Sequence, residues 1–152
     1  MLETTKAVFR ALATEPKHLD TFTLIGGTAL SMLFSHRLSE DLDFATPELR
    51  LPRRTIDHLI QHLASLGCLV EQRPNVEAQA RFDNEGFDLD DYQLDYLVDG
   101  VKVTFVALDG PDAKVLLRDH PSRVDGIKVA SWETLFRLKA LLVNQRVKSR
   151  DH

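Results

Sequence analysis

Apolar positions along the chain switch between a spacing of three to four and a spacing of two, and the switches divide it into helices and strands. In MLETTKAVFRALATE, Ala7, Val8, Ala11 and Leu12 recur at helical spacing, and Pro16 helps to end the helix. FTLIG at 22–26 is β-branched and aromatic and stops at Gly26-Gly27, which reads as a short strand entering a tight turn. TALSMLFSHR then suits a helix, with Ala29, Leu30, Leu33 and Phe34 on one face, and Asp41 to Ala45 suits the next strand. Between Pro52 and Gly67, RRTIDHLIQHLASLG carries Ile56, Leu59, Ile60, Leu63 and Leu66 at helical spacing. CLVEQR reads as a strand, and a further strand is expected within the polar segment 74–91, around Ala78 to Phe82. YQLDYLVDGVKVTFVAL is two β-rich runs joined by Asp99-Gly100, the dipeptide of a two-residue hairpin turn. GPDAKVLLRDHPSRVDG reads as a polar connection to a short strand, IKVA, after which Ser131 is placed to cap the helix WETLFRLKALLVNQRVKSR. The order implies an α+β protein: a mixed sheet with helices packed on it.

Length and composition narrow the class without naming a chemistry. A chain of 152 residues, 43% hydrophobic and 28% charged, fits one soluble domain with one core. A net charge of −4 does not call for a nucleic-acid or membrane surface, which leaves such contacts to local patches. Cys68 is the single cysteine, so no intrachain disulfide forms, and its apolar neighbours predict a buried thiol. No apolar run approaches the ~18 residues of a bilayer span, and the N-terminus lacks the charged-then-apolar order of a signal peptide. The expectation is a cytoplasmic protein without a membrane partner.

The chemistry concentrates in GGTALSMLFSHRLSEDLDF, residues 26–44. In a strand, Asp41 and Asp43 project from the same side, so two like charges repel unless the edge is solvated or a cation lies between them. Mg²⁺ takes oxygen ligands and keeps several waters, so two carboxylates and a nucleotide's phosphates can complete its shell. An acidic pair at a loop exit is also a common solvated feature. Gly26, Gly27 and Thr28, between a strand and a helix, let backbone N–H groups approach an anion closely, although Gly-Gly before a helix also serves simply as a turn. Arg37 and Ser39 could hold phosphate oxygens; equally, Arg37 could pair with Glu40 or cap the preceding helix. Lys139, Arg146 and Arg150 form a basic stripe on the last helix, shared with Leu135 and Leu142. Lys139 at the rim of that buried face needs an anionic partner, a triphosphate or an aspartate, whereas Arg146 and Arg150 also suit solvated cations at a helix C-terminus.

GGTAL at 26–30, HRLSEDLDF at 36–44 and LKALLVNQRVKSRD at 138–151, in that order, resemble the AbiEii-type toxin nucleotidyltransferases. These are the toxin components of type IV toxin–antitoxin and abortive-infection systems, within the DNA polymerase β-like superfamily. The resemblance implies a nucleotidyltransferase-like mixed sheet. It implies Gly26, Gly27 and Thr28 against the nucleotide phosphates, Asp41 and Asp43 on Mg²⁺, and Lys139 on the triphosphate. Asp151 would match an acidic residue that assists catalysis. The implied reaction moves NMP from an NTP to a hydroxyl acceptor, by the family's habit RNA such as a tRNA 3′ end, and the implied partner is a separately encoded antitoxin. The family pattern continues into further helices, so the expectation is a single domain, 1–152, without that extension. Many superfamily members carry a third carboxylate on a later strand, where VKVTFV offers Thr104; Asp95 stands on the opposite arm of the hairpin. The alternative implied function is a binding module of the same fold that holds a nucleotide or a partner and transfers nothing.

Overall fold

The computed structural model describes residues 2–26, 41–108, 111–118, 121–131, 133–138 and 140. Its centre is a seven-stranded mixed sheet. The strands are β1 (Thr23–Ile25), β2 (Asp41–Thr46), β3 (Val70–Gln72), β4 (Gln93–Val98), β5 (Val101–Ala107), β6 (Ser122–Val124) and β7 (Ile127–Val129), in the spatial order β3-β4-β5-β2-β1-β7-β6. β2 lies parallel to β5 and antiparallel to β1, which places the chain's early acidic strand in the middle of the sheet.

Alternation along the central strands separates two faces. Leu42, Phe44, Val103, Phe105, Leu94 and Tyr96 are buried on one of them. Phe105 lies at its centre, with ring centroids 5.3 Å from Phe22, 5.8 Å from Phe44 and 6.1 Å from Tyr96. Helix α1 (Glu3–Ala13) adds Val8, Phe9 and Leu12 to this core, and α2 (Arg53–Ser65) adds Ile56, Leu59 and Leu63. α2 buries Ile56, Leu59 and Leu63 as its spacing predicts; in α1, Val8 and Leu12 are buried as expected, but Ala7 is exposed and Phe9 takes its place on the buried face. Ile60 is only partly buried, and Leu66, the C-cap just beyond the helix, is exposed. Cys68 is half-buried against the same core, and burial pushes its thiol pKa up.

The hairpin forms as read: Asp99 and Gly100 both take positive φ, 49° and 82°, the geometry of a tight turn that matches strand twist. The Asp99 carboxylate also accepts from Leu69 N–H at 2.8 Å and so ties the start of β3 to this turn.

Three local expectations need correction. The strand expected around Ala78 to Phe82 is helical: α3 spans Val76–Asn84, and its N-cap Asn75 accepts from Ala78 N–H at 3.1 Å. Ala, Glu, Gln and Arg favour a helix once a cap supplies its start, and the segment buries none of its residues against the sheet. The polar connection after the hairpin contains α4 (Pro111–Arg118) and β6, and Asp125-Gly126 turns β6 into β7 with φ of 52° and 85°. CLVEQR contributes a strand only over Val70–Gln72.

The closing helix begins as expected, with Thr134 N–H donating to Ser131 Oγ at 3.2 Å and residues 133–138 helical. The helix expected over 28–37 lies outside the described residues.

Candidate active site

The opposite face of the central strands is polar. Register places Asp41 beside Lys102 and Asp43 beside Thr104, while the hairpin places Thr104 beside Asp95 and Lys102 beside Leu97. Residues alternating along paired strands share a face, so Asp41, Asp43, Lys102, Thr104 and Asp95 form one surface over three adjacent strands. The two aspartates therefore lie on the same side of β2, Asp41 exposed and Asp43 half-buried.

Burial, first, and then the Asp41 charge raise the Asp43 pKa above its ordinary value near 3.8; Lys102 opposes the shift and Asp95 adds to it. A partly desolvated carboxylate beside another acid is a place where a cation is favoured. The glycine turn is built against this group. Gly26 takes φ +81°, and a Cβ there would stand 2.8 Å from Asp43 Oδ2. The backbone thus comes as close to the carboxylate as a missing side chain allows.

Asp95 is where the third acidic group is found, and the motif pattern alone did not settle whether it reaches the site. It is buried, 9% exposed, and accepts a 2.8 Å hydrogen bond from Thr104 Oγ1 and a 3.2 Å bond from Gln93 Nε2. The signal was present in the sequence: a two-residue turn at 99–100 pairs Val98 with Val101 and so counts back to Asp95 opposite Thr104.

The far end of the polar face is closed by apolar packing. Ala45, two residues beyond Asp43, forms a small buried cluster with Leu117 of α4 and Leu138 of the closing helix, flanked by Ile25 and Val106. The start of the closing helix is thereby held on the face that carries the aspartates. Gly27, Thr28, Arg37, Ser39, Lys139 and Asp151 lie outside the described residues, as do Arg146 and Arg150.

The donor chemistry fits a hard divalent ion. Two same-face carboxylates supply oxygen ligands and negative charge, and phosphate oxygens would be needed to complete the shell. Among the described residues, no cluster of three or more His, Cys, Asp or Glu side chains is arranged to hold a metal by itself.

The fold is that of nucleotidyltransferases. A candidate nucleotidyltransferase from H. pylori superposes with a TM-score of 0.55 at 18% identity, over 91% of this chain and 59% of that one. JHP933 from Helicobacter pylori gives 0.54 at 15% identity, over 90% and 54%. The family described as "Nucleotidyl transferase AbiEii toxin, Type IV TA system" matches residues 9–152, and the chain belongs to it. An uncharacterized protein of Aquifex aeolicus is 28% identical over 133 residues, 86% of this chain and 53% of that protein. The chain thus spans little more than half the length of these relatives. Among the described residues, no helix is long and apolar enough to cross a membrane.

Proposed function

We propose that this chain is a Mg²⁺-dependent nucleotidyltransferase domain that moves NMP from an NTP to a hydroxyl acceptor, as the toxin of a type IV toxin–antitoxin pair. The observation that carries the reading is the close approach of Gly26 to Asp43, on a strand that presents Asp41 and Asp43 together, in a member of the AbiEii family.

Asp41 and Asp43 would hold the ion. When bound, Mg²⁺ supplies Lewis-acid neutralisation of phosphate charge. The acceptor oxygen bonds to the α-phosphorus, the bond from that phosphorus to the α–β bridging oxygen breaks, pyrophosphate leaves and the acceptor proton passes to solvent. The protein's contribution is placement and electrostatics rather than a covalent intermediate. Gly26, with Gly27 and Thr28, would let backbone N–H groups meet the phosphates, and Arg37 and Ser39 would add donors beside them. Lys139 would neutralise the triphosphate and Asp151 would assist; their support is the sequence block they occupy. RNA is the acceptor class the motif blocks favour, an antitoxin the partner, and the cytoplasm the compartment.

Incubation with labelled NTPs, Mg²⁺ and total RNA tests the reading. Label enters RNA with the wild-type protein and not with Asp43→Asn; no labelling under any NTP rejects transfer. Thr104, standing where a carboxylate is common, favours a second reading: a module that binds a nucleotide or partner without turnover. Mg²⁺-dependent nucleotide binding by calorimetry, without labelling, selects it.

A further inference from the structure

The polar row across β2, β5 and β4 contains a hydroxyl between two carboxylates, and the hydrogen bond that hydroxyl makes to Asp95 has a direction. Strand order puts Asp43 on one side of Thr104 and Asp95 on the other. Thr104 Oγ1 gives its proton to Asp95 Oδ1 at 2.8 Å. A hydroxyl has one proton and two lone pairs, so donation toward β4 leaves its lone pairs available away from Asp95, on the side of β5 where β2 and Asp43 lie.

Asp95 is suited to hold that orientation. It is nine-tenths buried, and Gln93 Nε2 occupies its carboxylate as well, which restricts its rotation. The bond runs from the Thr104 hydroxyl to a carboxylate oxygen of Asp95, which accepts it. An open cavity beside the row has Asp95, Leu97 and Lys102 in its wall, so solvent reaches the β4 end of the row.

We infer that Thr104 Oγ1 is a neutral oxygen ligand of the divalent-ion site, and that Asp95 is its positioning residue, holding the hydroxyl proton away from the ion. An acid one strand away thus acts on the site through the Thr104 hydroxyl. The inference rests on the proposed reading of Asp41 and Asp43 as ion ligands. A hydroxyl whose proton is held by a carboxylate suits Mg²⁺ and Mn²⁺, which take hard oxygen donors.

Mn²⁺ binding to the intact protein, followed by electron paramagnetic resonance and by calorimetry without nucleotide, tests this apart from turnover, with thermal unfolding measured on every variant. Thr104→Val, which removes a ligand oxygen, is expected to weaken Mn²⁺ at least about tenfold, since losing a partner that only orients a ligand already costs about that much. Thr104→Ser, which keeps the oxygen, is expected to retain wild-type affinity. Asp95→Asn, which can still accept the bond but carries no charge, is expected to fall between them. Because Asp95→Asn and Thr104→Ser preserve the hydrogen bond, they decide the matter even if Thr104→Val does not fold. Unchanged Mn²⁺ affinity in Thr104→Val and Asp95→Asn, with lowered melting temperatures, overturns the inference and makes the pair a structural bond only. Wild-type protein that binds no Mn²⁺, or Asp43→Asn that binds it as tightly as wild type, overturns the ion-site reading itself and the inference with it.

Discussion

The two faces of β2, β5 and β4 are made by alternate residues of the same three strands, yet they answer to different physical demands. On the core face, Leu42, Phe44, Val103, Phe105 and Tyr96 are buried against one another and against α1 and α2. On the other, Asp41, Asp43 and Asp95 lie on one face with Lys102 and Thr104, and burial first, then the Asp41 charge, makes the Asp43 carboxyl harder to ionise. The first arrangement contributes stability. The second costs some, a cost that a cation held there would offset. A one-residue slip of β2 would exchange the two sets, so the hydrophobic face also fixes which carboxylates are presented.

Breaking the polar face should cost activity with little loss of fold. Asp43→Asn is expected to lower nucleotidyl transfer on the order of 10²- to 10³-fold, the scale for removing one electrostatic contact to developing charge. Steady-state labelling of RNA measures it. The core face should behave in the opposite way. Phe105→Ala is expected to destabilise by about 3–5 kcal/mol, since it empties the centre of an aromatic cluster. For a domain of this size that lowers the melting temperature by roughly 10 °C. A core-face variant that keeps its melting temperature but loses transfer would show that the faces are not independent.

Gly26→Ala tests the contact between turn and acid. The added methyl meets Asp43 Oδ2, and φ of +81° strains any L side chain by about 1–2 kcal/mol. Calorimetric titration should show weakened Mg²⁺-nucleotide binding alongside that modest loss of stability. At the far edge, Asn75→Ala removes the cap of α3 and is expected to cost about 1 kcal/mol with transfer unchanged.

The smallest effect is in pH. Because the Asp43 pKa is raised on folding, the folded chain holds that proton more tightly than the unfolded chain. Stability without divalent ion therefore falls as pH rises from near 3.8 through the folded value, and levels off above it. Asp43→Asn should melt slightly higher than wild type at neutral pH and lose that advantage in acid. An unchanged difference across the range would mean Asp43 is not desolvated as the structure has it.

Local patterns carried much of this protein. Helical spacing marked α1 and α2, and Asp99-Gly100 set a hairpin whose register can be counted from the turn, because two-residue loops leave no slack. The segment 76–84 escaped because it buries none of its residues, so periodicity had no core to report and the Asn75 cap was the only signal. The second Asp-Gly turn, at 125–126, carried the same signal as the first but joins strands too short to alternate visibly.

Sequence alone determined that Asp41 and Asp43 share a side, since that follows from the period of a strand. What it left open was which strands would flank them. The parallel pairing of β2 with β5 joins residues some sixty positions apart, and no turn fixes the register of such a crossover. Packing of the buried face decided it, and with it the placement of Thr104 and Asp95 beside Asp43. Side-chain period is a local property of the backbone, whereas neighbourhood across a parallel sheet depends on burying the whole core at once.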